Sequence, residues 1–248
     1  AIWNYSGTSS MPCVGADNRE AGRLAARHLL QAGHRDIGLI FPSIEGNDRA
    51  RQRLEGAMEE IRAHGVEVRD GWRQESPYSI TLAKQAVREV LAAADRPTAF
   101  LCGNDVIAQG AVFGVQAAGL SVPGDVSVIG IGDFNGSPDM EPGLTTVRIP
   151  AEDIGRIAGQ RLTEAIVAEE EEVFRYRCAL DVIVRGIKSG LPLNECLKII
   201  AREGESPVKE EFQILVEGVA VGVDADEGLR RMLRRMPLSE LNFFAIVL

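Results

Sequence analysis

The run Asn18-Arg19-Glu20-Ala21-Gly22-Arg23-Leu24-Ala25-Ala26-Arg27-His28-Leu29-Leu30-Gln31-Ala32-Gly33-His34-Arg35-Asp36-Ile37-Gly38-Leu39-Ile40-Phe41 decides the fold. Ala21, Leu24, Ala25, His28 and Leu29 recur at helical spacing, so Asn18 to Ala32 reads as an amphipathic helix. Gly33 supplies the residue that ends such a helix without steric cost. Ile37 to Phe41 is then a short apolar strand. One helix followed at once by one buried strand is half of a βαβ unit.

The alternation continues outward. Asp48 to His64 is a second helix with Leu54, Met58 and Ile61 inward, followed by Gly65. Thr81 to Ala94 is a third helix, Thr98 to Cys102 a strand, and Asp105 to Ala118 a fourth helix closed by Gly119. Val126 to Ile131 is an apolar, β-branched run, the mark of a strand covered on both faces. A fifth helix, Ala151 to Ala168, is entered through Pro150. Strands alternating with helices give an α/β fold with a parallel sheet. Ligands of such sheets bind beyond the carboxyl ends of the strands. The loops after Phe41, Cys102 and Ile131 are therefore where a site belongs.

The pattern changes near residue 188. Residues 189–248 read as helices without strands: Pro192 to Ala201, Pro207 to Val221 and Asp226 to Met236. Glu169 to Glu172 reads as a solvated helix end. No run of about 20 apolar residues is present, so no complete membrane span is expected. Leu241 to Leu248 is apolar and fits the opening of a membrane helix cut short.

The net charge is −9, which repels phosphate backbones and makes this stretch a poor nucleic-acid binder by itself. Cys13, Cys102, Cys178 and Cys196 are far apart, with no metal-ligand spacing, and read as free thiols of a reducing, cytoplasmic compartment. There is no G-x-S-x-G elbow and no P-loop. His28, His34 and His64 have no evident nucleophile or metal partner and read as structural. Gly130-Ile131-Gly132-Asp133 follows a strand as a dinucleotide loop does, but the third glycine is Gly136, one residue late, with no helix starting there. Neither enzyme, cofactor nor metal is expected.

What stands at the strand ends is polar. Arg49, Arg51 and Arg53 follow the first strand, Asn104 and Asp105 the second, Asp133 and Asn135 the third, and Tyr78 lies in a loop of its own. A guanidinium fork, an amide, a carboxylate and an aromatic face suit a sugar, whose hydroxyls need fixed donors and acceptors. The structural alternative is that Asp105 caps its helix and the arginines face solvent. For Asp105 the cap is the preferred reading; Arg53 and Asn104 are read as ligand-binding.

Several phrases resemble the lactose-repressor family in order. They are Asp17-Asn18-Arg19-Glu20-Ala21-Gly22-Arg23-Leu24-Ala25, Gly33-His34-Arg35-Asp36-Ile37, Arg53-Leu54-Glu55-Gly56 and Asn104-Asp105-Val106-Ile107-Ala108. Val122-Pro123-Gly124-Asp125-Val126-Ser127-Val128-Ile129-Gly130 and Pro142-Gly143-Leu144-Thr145-Thr146-Val147 follow. The resemblance covers about residues 1–188. It implies a type I periplasmic-binding-protein fold, with two parallel-sheet subdomains closing on a small effector, usually a sugar. It also implies a transcription regulator, dimeric in full length, that meets operator DNA through an N-terminal domain this chain lacks. On this resemblance Arg53 and Asn104 are ligand residues and Tyr78 is near the stacking aromatic. The usual ligand aspartate falls on Gly132, with Asp133 one position late. The wording Gly130-Ile131-Gly132-Asp133-Phe134 and the opening Ile2-Trp3-Asn4-Tyr5 are nearer the gluconate repressors, so a sugar acid is a further expectation.

Residues 16–147, with a strand at 180–185, would then be a nearly whole second subdomain. Residues 1–15 and 151–178 would be remnants of the first, leaving half the cleft outside the chain and normal binding of operator and ligand unexpected. The tail resembles a different family, the secretion-F domain of a tight-adherence pilus assembly membrane protein. Gly190-Leu191-Pro192-Leu193-Asn194-Glu195-Cys196-Leu197 and Pro237-Leu238-Ser239-Glu240-Leu241-Asn242-Phe243-Phe244 carry that resemblance. Two alternative readings follow: a fragment of a secretion assembly protein joined to a regulator remnant, and a periplasmic sugar-binding protein.

Overall fold

The structure is a computed structural model that describes residues 2–8, 10–168, 173–184, 201, 208–220, 228, 231–232 and 235. The chain divides into two compact units, Ala1–Arg185 and Gly186–Leu248.

In the first unit the elements run β1 (Ile2–Asn4), β2 (Cys13–Ala16), α1 (Asn18–Gln31), β3 (Ile37–Phe41), α2 (Asp48–Ala63), β4 (Arg73–Glu75) and α3 (Ile80–Leu91). They continue as β5 (Ala99–Cys102), α4 (Asp105–Ala117), β6 (Ser127–Gly132), β7 (Thr145–Arg148), α5 (Ala151–Ala168), β8 (Arg175–Cys178) and β9 (Asp181–Ile183). Two sheets form. The smaller is parallel, in the order β1-β2-β8. The larger has six strands in the order β4-β3-β5-β6-β7-β9, all parallel except the antiparallel pair β7–β9. The α/β class and parallel sheet expected from the periodicity are what the structure has.

Strand alternation builds two cores. Ile37, Leu39 and Phe41 of β3, Ala99 and Leu101 of β5, and Ile129 and Ile131 of β6 face α1 and α2. Ile40, Phe100, Cys102 and Val128, the residues between, face α3 and α4 with Val87, Ile107, Ala111 and Val115. Both faces are covered, which is why the strands read as continuous apolar runs. In the larger sheet, two strands escaped the sequence reading as separate elements. β4 is three polar residues on a sheet edge, and β7, Thr145–Arg148, is too short to show a period. The cysteines Cys13, Cys102 and Cys178 are free and buried. Cys196 and the helices expected at 192–201 and 226–236 lie mostly or wholly outside the described residues.

Helices α1 and α2 pack through glycine. A Cβ at Gly22 would meet the Arg53 carbonyl oxygen at 1.9 Å, and one at Gly56 the Arg19 carbonyl oxygen at 1.9 Å. This close crossing lines up an ion-pair ladder. Arg19 reaches Glu55 and Glu59 at 3.1 and 2.7 Å, Arg23 reaches Glu59 at 2.7 Å, and Arg27 reaches Glu60 at 2.8 Å. Half-exposed pairs of this kind add at most about 1 kcal/mol each, so the glycine contact and the apolar faces set the crossing.

In the second unit α6 (Val208–Ala220) buries Phe212 and Leu215, and Arg235 holds Glu211 through two nitrogens at 2.9 and 2.8 Å. No helix among the described residues is long and apolar enough to cross a membrane.

At the amino ends of the larger sheet, His34 bridges two strands. Its Nδ1 lies 2.9 Å from Thr98 Oγ1 and its Nε2 lies 3.0 Å from Ser127 Oγ. Burial lowers its pKa below the ordinary 6.5. The folded state therefore binds this proton less readily than the unfolded chain. The stability tied to neutral His34 is complete above pH 6.5 and is lost as pH falls through the lowered folded value. Urea unfolding of wild type and His34→Gln between pH 8 and pH 4.5 checks this: the midpoint advantage of wild type is expected to shrink below pH 6.5.

Candidate functional site

The carboxyl ends of β3, β4 and β5 gather polar side chains from four different segments. Arg53, on α2, is buried and spans two of them. Its Nε donates to Asn18 Oδ1 at 2.8 Å, and its Nη1 donates to the Gly103 carbonyl at 2.9 Å. The Nη2 group makes no hydrogen bond among the described residues. No buried side-chain nitrogen or oxygen lacks a partner there, so this nitrogen reaches the molecular surface. Desolvation pushes the pKa of Arg53 down to about 10, opposed by Tyr78, reinforced by the neighbouring charge of Arg49, and opposed again by Asp105.

Asn104 is the residue after Gly103, whose carbonyl the guanidinium holds. It is the N-cap of α4: its backbone is extended, and its Oδ1 accepts from the Ile107 amide at 3.0 Å. Its Nδ2 makes no hydrogen bond among the described residues and likewise reaches the surface. Sequence reasoning paired this residue with a ligand, and the structure gives its oxygen to the helix while leaving its nitrogen available.

Tyr78, half exposed, accepts at its hydroxyl from Asn47 Nδ2 at 2.9 Å. Asn47 in turn caps α2 through Oδ1, which accepts from the Ala50 amide at 3.2 Å. Asn47 and Asn18 were missed by the site reading. Each precedes or opens a helix and reads locally as a cap, while its second partner is 31 or 35 residues away. Arg51 faces solvent and pairs with Asp48 at 2.6 Å, as the structural alternative held. For Arg53 that alternative fails, because α2 turns the side chain inward beneath the rim.

Asp105 departs from its expected role. The cap belongs to Asn104, and Asp105 is the first helical residue, with its carboxylate turned into the protein. Its Oδ2 accepts from the Phe134 amide at 2.9 Å and Ser137 Oγ at 2.8 Å; its Oδ1 accepts from Thr146 Oγ1 at 2.6 Å. One fully buried carboxylate thus ties α4 to the β6–β7 loop and to β7. Gly130 makes room for it: a Cβ there would meet Asp105 Oδ1 at 2.3 Å.

Asp133 sits elsewhere. Its φ is 60°, in the left-handed region, and Arg148 Nε donates to its carboxylate at 3.2 Å. With Asn135, Arg148, Arg156, Tyr176 and Asp181 it lines a cavity of about 590 Å³ beside the start of α5. Neither Arg53, Asn104 nor Tyr78 lines that cavity. Of the four residues singled out from sequence, Arg53 reaches the backbone carbonyl of Gly103, one residue before Asn104, Tyr78 bears on the charge of Arg53, and Asp133 lines a cavity that none of the other three lines. No group of three His, Cys, Asp or Glu among the described residues is placed to hold a metal ion.

The family described as "Periplasmic binding protein-like domain" matches residues 26–186, more than half of the chain. The chain belongs to this family. Its similar regulators are of the lactose-repressor type. The HTH-type transcriptional repressor PurR of Salmonella arizonae is 37% identical over 153 residues, covering 62% of this chain and 45% of that protein. The regulator GntR from Chromobacterium violaceum superposes with a TM-score of 0.68 at 28% identity, covering 75% of this chain and 68% of that one. A complex of the regulator CelR with cellobiose superposes at 0.63 with 29% identity, over 70% of this chain and 53% of that one. The chain thus spans less than half the length of the repressor it matches. "Type II secretion system (T2SS), protein F" matches residues 179–248, overlapping the periplasmic-binding-protein-like match by a few residues.

In this chain the Asp105 carboxylate holds the β6–β7 corner. In Asp105→Asn one acceptor oxygen becomes a donor facing other donors, and the charge is lost. Chemical unfolding is expected to show a loss of about 1.5–3 kcal/mol, with Asp105→Ala lower still.

Proposed function

We propose that residues 1–188 form the effector-binding part of a bacterial transcription regulator, and that a sugar or sugar acid lies against the carboxyl rim of the six-stranded sheet. One observation carries this reading. Arg53 is anchored to the Gly103 carbonyl just past β5, Asn104 is the next residue, and each keeps a surface-reaching nitrogen that no group among the described residues uses. Donors fixed at one end by the fold and unsatisfied at the other are what a hydroxylated ligand needs. Tyr78 adds a half-exposed ring at the same rim. The relatives are named as transcriptional repressors and regulators, and one was solved with cellobiose. No catalytic step is assigned.

In this reading the effector biases a two-state relation between the two sheets. Operator DNA is met through an N-terminal domain outside these residues, which suits their acidic charge, and the regulator works as a homodimer in the cytoplasm, where its DNA is. Asp133, by contrast, serves the corner with Arg148 rather than the effector. The match of residues 179–248 to a secretion protein supports a second ancestry for the helical unit at 189–248. That unit is read as an addition to the regulator.

The test is calorimetric titration of the chain with sugars and sugar acids, repeated on Asn104→Asp. This variant keeps the oxygen that caps α4 and replaces the donor that faces outward. Because the three-stranded sheet supplies only part of the opposite wall, wild type is expected to bind one hydroxylated class weakly but saturably, and the variant at least about tenfold more weakly still, at a similar melting temperature. If no hydroxylated compound binds wild type, the reading is wrong.

A further inference from the structure

The arginines of α1 and α2 fall into two groups. Arg19, Arg23, Arg27 and Arg51 each lie against at least one carboxylate. Arg53, the most buried of them, has none among the described residues, and the exposed Arg62 has none either. The two engaged nitrogens of Arg53 are held by neutral oxygens, an amide and a backbone carbonyl. Arg49, one turn earlier on the same helix, forms no ion pair among the described residues, and its charge bears on Arg53. Among the described residues, the carboxylate that bears on the charge of Arg53 is that of Asp105, and both its oxygens are committed to Phe134, Ser137 and Thr146.

The neutral partner is fixed, not incidental. Asn18 is 1% exposed. Its Nδ2 donates to Asn4 Oδ1 at 2.9 Å and faces the Ala16 carbonyl at 3.4 Å. Those acceptors leave the Oδ1 end only one direction, toward Arg53. A carboxylate at this position would meet the guanidinium equally well and neutralise it. A buried cation without a counter-charge is costly, and that cost is recovered when an anion arrives.

We propose that Asn18 is the positioning residue that sets the charge preference of the site: by holding Arg53 through a neutral oxygen it leaves the guanidinium to pair with an anionic oxygen group on the ligand. This rests on the effector reading above and narrows it from hydroxylated molecules in general to hydroxylated acids. Asn4 lies in β1 and Asn18 opens α1, so the same chain of hydrogen bonds links the arginine to the smaller sheet.

The probes are D-gluconate and D-sorbitol, open-chain molecules that differ in having a carboxylate or a neutral hydroxymethyl at one end. Titration of the full chain is expected to give gluconate at least about tenfold tighter than sorbitol. Asn18→Asp keeps the acceptor for Arg53, and the Asn4 amide can turn to face the second oxygen. In this variant the gluconate-to-sorbitol ratio is expected to fall toward one while the melting temperature holds or rises. Asn4→Asp adds the same charge one hydrogen bond farther away and is expected to move the ratio less. Should Asn18→Asp not fold, salt carries the test on wild type: gluconate binding is expected to weaken between 50 and 500 mM chloride on the order of severalfold, and sorbitol binding to hold. A wild type that binds both probes with the same constant, a ratio unchanged in Asn18→Asp, or a gluconate constant indifferent to salt each overturns the role of Asn18 and leaves the effector reading standing. A wild type that binds neither these probes nor any sugar overturns both.

Discussion

The guanidinium of Arg53 is the contact on which the rim of the larger sheet depends. It leaves α2, takes hold of the first residue of α1 and of the backbone just past β5, and is buried while doing so. Three chain segments that approach one another only through the fold are fixed by one planar group. Arginine suits this because its fork offers several donors in a rigid plane. Two directions of that fork serve the protein, and the third is open. Architecture and recognition are therefore not separate here: the group that holds the rim together is the group that presents a donor at it.

The glycine crossing of α1 and α2 explains how Arg53 gets there. Gly22 lies against the carbonyl of Arg53 itself, and Gly56 against that of Arg19. A wider helix pair would lift α2 from the sheet and draw the guanidinium away from Asn18 and Gly103. On the other side of β5, Asp105 does comparable work with the opposite charge, holding the corner after β6. The two buried ions bracket the end of β5. Asn104 lies between them, where its oxygen starts a helix and its nitrogen is spare.

Much of this architecture is legible in the sequence. The 3.6-residue rhythm of Ala21, Leu24, Ala25 and Leu29, the β-branched run before Gly130, and the glycines after each helix place α1 to α5 and β3, β5 and β6 within a few residues. Strand β4 is lost because a polar edge strand of three residues has no apolar face to announce it. The roles of single polar residues are harder, since a local signal competes with a distant one. Asp105 at a helix start looks like a cap, yet its partners lie 29, 32 and 41 residues on. Asn18 looks like the first residue of a helix and no more, because Arg53 is 35 residues away. Gly130 held the clue to Asp105: an invisible side chain in a buried β-branched strand marks a place where something else must fit.

The central claim is that Arg53 at this rim meets the effector. Nitrogen-15 NMR of the arginine Nε–H groups observes it directly. The Arg53 signal, identified by its absence in Arg53→Lys, is buried and hydrogen-bonded, so it is expected to be slow to exchange. On titration with a bound sugar or sugar acid it is expected to move and saturate together with the Asn104 side-chain amide. A ligand that binds while both signals stay still, and that moves the residues around Asp133 and Arg148 instead, would place the effector in the other cavity and contradict the account.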